Sequence, residues 1–486
     1  KIIKNIFCKE ERIMYIILSK DVILRDEHHY INSEARFFYN AKTRHSEFLS
    51  AAAFELLVYL SKSRTIEDAW EFYHKRAMEL NELPQREEFN QFINEMILGN
   101  TILKTSKKEN VTKPLSNLKI SPPASFKYTP MTFPTKVNIT STMRCNLACK
   151  HCLRESSPFV DISDELNTDE VIQLFSELDN LGVIELAFSG GETTTRKDIC
   201  TILEHAGTLR CFFEFFTNGH RVSDKVYQTL LKVKEKKQRG LQIHLSLDGD
   251  EFYHDQMRGK GSYKRVMDTL KRFAQDKFYV IVESVLVPDC VKSDGVRKVV
   301  EACIENGANG ISFHPASVSG RASLNPDYFQ FTLSELDYFY KQVIQITKEY
   351  PSTKIEFQTY YYPGPKNKDN DFELPPNVGP QGMYLLAIGA NGDIYPCTES
   401  IGDTSQIIAN VKDEGGVLSA WNSRKWDFYR GGWELDELTA CIGCKFHGDC
   451  TMQTCRCYAQ RVLLNKYDAM PECYKVRDEI WGKSKI

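Results

Sequence analysis

Between residues 135 and 350 the chain alternates two hydrophobic rhythms. Short β-branched or aromatic runs are followed by longer stretches that are apolar at every third or fourth position. The first rhythm is that of a strand, the second that of an amphipathic helix. Strands are predicted at 136–140, 184–189, 212–216, 242–247, 279–287 and 310–314, and helices at 168–181, 222–236, 263–273, 295–305 and 333–348. Repeated βα units imply an α/β fold with a parallel sheet. Six of them predict a partial (β/α)6 barrel over 134–350, with its chemistry at the C-terminal strand ends.

Residues 14–104 carry a different pattern. Extended stretches at 15–24 and 35–41 precede helical patterns at 50–60, 65–80 and 85–98. Thr65, with Glu67 and Asp68 behind it, is a helix N-terminus signal. Strands followed by three helices outline a small winged-helix-like domain. Residues 105–133, with Pro114, Pro122, Pro123 and Pro130, read as a linker. After residue 350 the alternation stops, and 351–486 form a Cys-rich C-terminal region.

Charge and composition narrow the partners. Residues 14–104 hold 11 Lys and Arg against 14 Asp and Glu, and the whole chain of 486 residues has a net charge of −3. A nucleic-acid-docking winged helix would carry a basic face, so no nucleic-acid partner is expected. No apolar run reaches the ~18 residues of a spanning helix, so no membrane partner is expected. The opening KIIKNIFCKEERIMYIILSKD is interrupted by Lys and Glu and does not read as a secretory signal. Met14 is an alternative start, with residues 1–13 an upstream extension.

Fifteen cysteines change the picture. They cluster at ligand-like spacings in a long chain, which favours metal ligation in a reducing cytoplasm over a disulfide framework. The first predicted strand runs into TSTMRCNLACKHC, spaced Cys145-x3-Cys149-x2-Cys152. Three thiolates on one tight loop can hold three corners of a cubic iron–sulfur cluster and leave one iron open. A zinc knuckle is the competing reading. Each later strand ends in a polar signature: Ser189-Gly190-Gly191-Glu192, Thr217-Asn218-Gly219, then Ser246-Leu247-Asp248-Gly249, followed by His254 to Gly259 with Arg258 among them. Two glycines permit close approach of a ligand, Glu192 can pair with an ammonium, Ser246 and Asp248 suit sugar hydroxyls, and Arg258 suits a carboxylate. Together they describe a site for a zwitterionic nucleoside.

The trio, with GGE, TNG and SLDG, resembles the radical S-adenosylmethionine (SAM) superfamily over roughly residues 135–320. The resemblance implies that the open iron chelates SAM. Reduction then splits SAM to methionine and a 5′-deoxyadenosyl radical, which takes hydrogen from substrate. It implies Glu192 at the SAM amino group, Ser246 and Asp248 at the ribose, Arg258 at the carboxylate, and Asn218 as a further contact. Two departures stand out. His151 occupies the usual aromatic position before the third Cys, and Thr193 replaces the usual Pro after GGE.

The C-terminal region reads Gly392-x4-Cys397, then Cys441-x2-Cys444-x5-Cys450-x4-Cys455-x-Cys457, then Cys473. A zinc ribbon is one reading; the order also resembles a SPASM domain with two auxiliary iron–sulfur clusters. That resemblance implies Cys441, Cys444, Cys450 and Cys473 at one cluster and Cys397, Cys455 and Cys457 at the other. The family's Cys about 18–20 residues before Cys397 is missing; Gly379-Pro380-Gln381 stand there. The first cluster is then incomplete, differently ligated, or open to substrate, and an open iron can take a substrate thiolate. Cys8, Cys200, Cys211, Cys290 and Cys303 read as core residues.

The N-terminal outline resembles the PqqD-like leader-recognition domain of maturases of ribosomally made peptides, in which a leader adds as a strand to a sheet edge. The combined expectation is a peptide-crosslinking radical SAM oxidoreductase. Its product is a thioether by preference, or a carbon–carbon or carbon–oxygen link, and its electrons come from a flavodoxin or ferredoxin. A sulfatase-maturing enzyme forming formylglycine and a zinc-bound winged-helix regulator are the rivals. No Asp, Tyr or Glu of the barrel stands out as the catalytic acid–base.

Overall fold

The computed structural model describes residues 14–28, 30, 35–110, 115–116, 127–358, 378–438, 441–443, 456–463 and 465–467. The first strands are β1 (Tyr15–Leu18), β2 (Val22–Glu27), β3 (Ala35–Asn40) and β4 (His45–Phe48). Three helices follow, α1 (Ala51–Tyr59), α2 (Ile66–Glu79) and α3 (Arg86–Leu98), then β5 (Ile102–Thr105) and β6 (Leu115–Ser116). The side chain of Ser50 caps α1, and Thr65 closes a capping box with Asp68 on α2, so the predicted start signal acts as read. β1 pairs antiparallel with β5, and β4-β3-β2-β6 form a separate sheet. Phe54, Leu57, Phe89, Ile93 and Met96 bind the helices to Leu18, Leu24 and Phe38 of the strands.

The second body is built from β7 (Lys136–Thr140), α4 (Thr168–Asn180), β8 (Glu185–Ser189), α5 (Ile199–Ala206), β9 (Phe212–Thr217), α6 (Asp224–Lys237) and β10 (Leu241–Ser246). It continues through α7 (Glu251–Arg258), α8 (Ser262–Gln275), β11 (Val280–Leu286), α9 (Pro288–Lys292), α10 (Gly295–Glu305) and β12 (Gly310–Pro315). Then come α11 (Pro326–Phe329), α12 (Leu333–Glu349) and β13 (Lys354–Phe357). Strands β7 to β13 lie parallel in chain order, as a partial barrel requires. The sheet continues past residue 350. β13 extends one edge, and β14 (Leu385–Ile388) pairs parallel with β7 at the other, followed by antiparallel β15 (Asp393–Tyr395) and β16 (Ala409–Asn410). Two helices complete the described elements, α13 (Gly416–Trp421) and α14 (Arg456–Leu463).

The two faces of each barrel strand do different work. Val137, Ile139, Leu186, Phe188, Phe213, Phe215, Ile243, Leu245, Val282, Ile311 and Phe313 join one apolar cluster with the surrounding helices. The alternate positions, Lys136, Glu185, Glu214, His244, Glu283 and His314, face the other way and hydrogen-bond across neighbouring strands. Cys211, Cys290 and Cys303 are buried in the apolar cluster and Cys200 packs against it, as expected; Cys8 lies outside the described residues. Among the described residues no helix is long and apolar enough to cross a membrane.

The first domain sits on the N-terminal ends of the barrel strands. Arg25 of β2 is fully buried; it pairs with Glu27 and donates to the carbonyls of Gly182, at 2.8 Å, and Phe133. Glu27 accepts the Thr132 N–H at 2.7 Å. Arg44, between β3 and β4, lies 4.7 Å from the Phe212 ring centre and 4.8 Å from that of Tyr279. Substituting Arg25 by Met leaves Glu27 buried without its cation, which costs about 3–5 kcal/mol. Urea denaturation should show that loss, and Arg25→Met with Glu27→Leu should recover more than half of it. An unchanged midpoint in the single variant would remove this pair from the interface.

Candidate functional site

The loop after β7 carries Cys145, Cys149 and Cys152. Its seat on β8 is made by backbone groups. Ser141 N–H donates to Ser189 O, Gly191 N–H to Thr142 O at 2.7 Å, and Glu192 N–H to Arg144 O at 2.9 Å. This contact explains the glycine pair. A Cβ on Gly191 would collide with the Arg144 carbonyl oxygen and lie 2.8 Å from that of Met143, and a Cβ on Gly190 would lie 2.7 Å from Thr142 O. The glycines border the cleft, but the close approach they permit is to the cysteine loop itself.

Distant residues tighten the same loop. Glu165 accepts from Met143 N–H and the Thr142 hydroxyl. Arg196 donates to Ser141 O at 2.7 Å. Arg321, beyond β12, donates to the carbonyls of Cys149 and Ser156, and its own N–H reaches Cys152 O at 3.1 Å. Arg461 of α14 bridges Leu153 O at 2.9 Å to the carbonyls of Glu399 and Ile401. Sequence reasoning missed all four. Each is a single charged residue far along the chain from the trio, with no motif to mark it.

The three thiols line a cleft of about 370 Å³ together with Glu192, Asn218, Ser246, Arg258, Glu283, His314 and Glu399. Cys145 Sγ accepts from Leu147 N–H at 3.4 Å and from Asn218 Nδ2 at 3.7 Å, while the same amide holds Asn146 Oδ1 at 2.8 Å. Asn218 thus stands on a cysteine sulfur, where hydrogen bonding would tune a cluster's potential. Burial pushes the Cys145 thiol up to about 12, so an electropositive metal centre would be what keeps it ionised. Among the described residues no three His, Cys, Asp or Glu side chains converge as ligands of one ion.

Glu192 is buried yet faces the cleft. Its carboxylate accepts from Thr194 N–H and hydroxyl, Thr217 Oγ1 at 2.8 Å and Asn218 N–H at 2.7 Å. Ser246 lines the cleft too. Asp248 and Arg258, expected at opposite ends of a ligand, instead form an ion pair. Asp248 also accepts Val285 N–H at 3.1 Å and lies behind the cleft wall, which Arg258 reaches. Burial opposes its charge, but Arg258 and His151 hold the Asp248 carboxyl well below the carboxylate range. Burial lowers His151 to about 4, so this ring is neutral.

The opposite wall holds groups with no sequence motif. Glu283 lies 2.7 Å from His314 Nε2 and 2.7 Å from His244 Nδ1. His244 also faces Glu214 at 3.4 Å, which faces Lys136 at 3.4 Å. Burial works against a charge on His244, yet the two carboxylates raise it to about 9; Glu214 falls to about 2 against the same burial. Beyond Glu399, Cys397 is buried with Sγ 3.7 Å from Ser400 Oγ. Gln406 ties Ser400 to the carbonyl of Cys457, so Cys397 and Cys457 are linked through Ser400 and Gln406. Gly379-Pro380-Gln381 form the turn into β14, where Pro380 O accepts three N–H groups. Cys441 is half-buried, and Cys444, Cys450, Cys455 and Cys473 lie outside the described residues.

Two outcomes follow from this geometry. Gly191→Ala drives the cysteine loop off its seat, at a cost of about 1–3 kcal/mol, and the reconstituted chain loses the iron of one cluster by elemental assay. Retention of that iron would deny the seat its role. The second concerns the His244 cluster. Its raised pKa means its stabilisation is complete below 6.5 and is lost as pH rises through about 9, while the Glu214 contribution is complete above 4.5. The urea-midpoint gap between wild type and His244→Gln should therefore narrow from pH 6.5 to 9; a constant gap would contradict it.

Residues 139–294 match the Radical SAM superfamily. The PqqA peptide cyclase of Bradyrhizobium diazoefficiens is 25% identical over 352 residues, 70% of this chain and 86% of that protein. The mycofactocin maturase MftC of Mycobacterium tuberculosis is 24% identical over 327 residues, 64% of this chain and 75% of that one. The fold matches that of Streptococcus suis SuiB bound to its precursor peptide SuiA, with TM-score 0.62 at 17% identity over 95% of this chain and 98% of that one. The superfamily's cofactors are SAM and a [4Fe–4S] cluster, and a three-thiol loop beside a cleft walled by Glu192 and Ser246 fits both. The chain is a radical SAM enzyme, with its radical SAM domain at residues 139–294.

Proposed function

We propose that this enzyme crosslinks a ribosomally made precursor peptide. The observation that carries the reading is the composition of the cleft: one wall is the Cys145–Cys152 loop, and another includes Glu399, two residues from Cys397. A radical source and a cysteine-bearing segment thus border one cavity. Relatives named as a peptide cyclase and a maturase support a peptide as substrate.

In this reading residues 14–104 recognise the leader, 105–133 link, 134–350 form the barrel, and 351–486 carry two auxiliary clusters. Strand β4 is an edge strand with Ser46, Glu47 and Phe48 exposed, so a leader can add to it through backbone hydrogen bonds. Glu192, fixed by four donors, presents its carboxylate to the SAM ammonium. Ser246 approaches the ribose, with Asp248 behind it, and Arg258, oriented by Asp248, meets the carboxylate. When bound, cluster and SAM supply a primary carbon radical that takes hydrogen from the peptide. Cys397, Cys455 and Cys457 hold the first auxiliary cluster; its missing fourth thiol leaves room for a substrate thiolate and favours a thioether. Cys441, Cys444, Cys450 and Cys473 hold the second, and a flavodoxin or ferredoxin supplies electrons.

Mass spectrometry of a co-expressed precursor should show loss of two hydrogens per link. An unchanged mass would end the crosslinking reading. Cys145→Ala should reduce SAM cleavage to background while auxiliary iron persists, and persistent cleavage would overturn the assignment of the trio.

A further inference from the structure

We propose that His314, oriented by Glu283, is the group that accepts the substrate's proton as the crosslink forms. The proposal rests on the crosslinking reading above and adds the acid–base group that reading lacks.

The geometry is that of a carboxylate-held imidazole opening into the cleft. His314 ends β12, lines the cleft and keeps 29% of its side chain exposed. Its Nε2 lies 2.7 Å from Glu283 Oε2. Donation of Nε2–H to that carboxylate fixes the tautomer and leaves Nδ1 as the basic nitrogen. Nδ1 has no hydrogen-bond partner among the described residues.

The charges behind it favour the same role. Glu283, His244, Glu214, Glu185 and Lys136 form a continuous hydrogen-bonded and ion-paired row through the barrel interior. With His244 cationic, two positive charges face three carboxylates. One proton on His314 brings the row to neutrality, and it arrives 2.7 Å from Glu283. The other titratable groups on the cleft serve elsewhere: Glu399 lies two residues from Cys397, in the segment given to an auxiliary cluster. Glu192 has both oxygens occupied by donors, Arg154 and Arg258 are permanently protonated, and His151 stands beside the Asp248–Arg258 pair on the cysteine loop.

The balance per link is explicit. The peptide's C–H bond gives a hydrogen atom to the 5′-deoxyadenosyl radical. The partner group, a thiol, hydroxyl or aryl C–H, gives its proton to His314 Nδ1. The new bond forms, and the one electron left over passes to an iron–sulfur acceptor. The peptide loses two hydrogens in all.

The test uses the full reconstituted chain with SAM, dithionite and the precursor peptide of the preceding co-expression assay. Both 5′-deoxyadenosine and crosslinked peptide are quantified. In wild type the two form in a fixed ratio. His314→Gln should raise 5′-deoxyadenosine formed per crosslink by about 10²-fold or more, the scale of a lost general base. Added imidazole should lower that ratio in His314→Ala, a rescue that a merely structural histidine would not show. Glu283→Asn should uncouple in the same sense. If His314→Gln keeps the wild-type ratio, or loses SAM cleavage and crosslinking in equal proportion, the proposal is overturned while the crosslinking reading stands. If wild-type enzyme leaves the peptide mass unchanged, both fall.

Discussion

The site depends on one contact between two stretches of backbone. The peptide groups of Gly190 and Gly191 lie on those of Thr142 to Arg144, with no side chain between them. Any Cβ at Gly191 would separate β8 from the cysteine loop, and the loop would then lose its register with Glu192 and Asn218. The outer ring of donors, Arg196, Arg321 and Arg461, supports that seat through carbonyls only. Among the cysteine sulfurs, Cys145 accepts only the long contacts from Leu147 N–H and Asn218 Nδ2, which leave it available to a cluster. A loop whose shape relied on its thiols would have to choose between folding and ligation.

The barrel solves a second conflict. A parallel sheet is ordinarily buried on both faces and apolar on both. Here the helix-facing side follows that rule, and the inner side is a row of acids and bases. Each buried charge is expensive unless paired, and the row supplies a partner to each. The network thereby carries fixed charge from the barrel floor to the wall of the cleft.

Legibility in the sequence followed range. The trio and the strand ends were readable because each is a local string, and β7 and α10 appear at their predicted residues. Short elements were not: α5 and α7 span two turns, too few for periodicity, and β13 and β14 are four-residue strands outside the βα rhythm. In the sequence, residues 254–259 offer only Arg258 as a partner for a ligand carboxylate, whereas α7 aims that residue at Asp248. His244, Glu283 and His314 looked like interruptions in apolar strands. Only strand order places them side by side, and strand order is a long-range property. The role of Gly191 was read half correctly, because a glycine signals close approach without saying to what.

The hairpin of β3 and β4 gains a meaning from the charged interior. Ala41 packs against Gly240, and Arg44 is wedged between Phe212 and Tyr279, across the floor of the barrel. The N-terminal domain thus covers part of the barrel floor without sealing it: Lys136 and Glu185, at the base of the ionic row, keep 32% and 42% of their side chains exposed. Its attachment to the barrel therefore shapes the surroundings of that row as well as joining the two domains. A barrel without this domain would open Phe212, Tyr279 and the base of the row to water together.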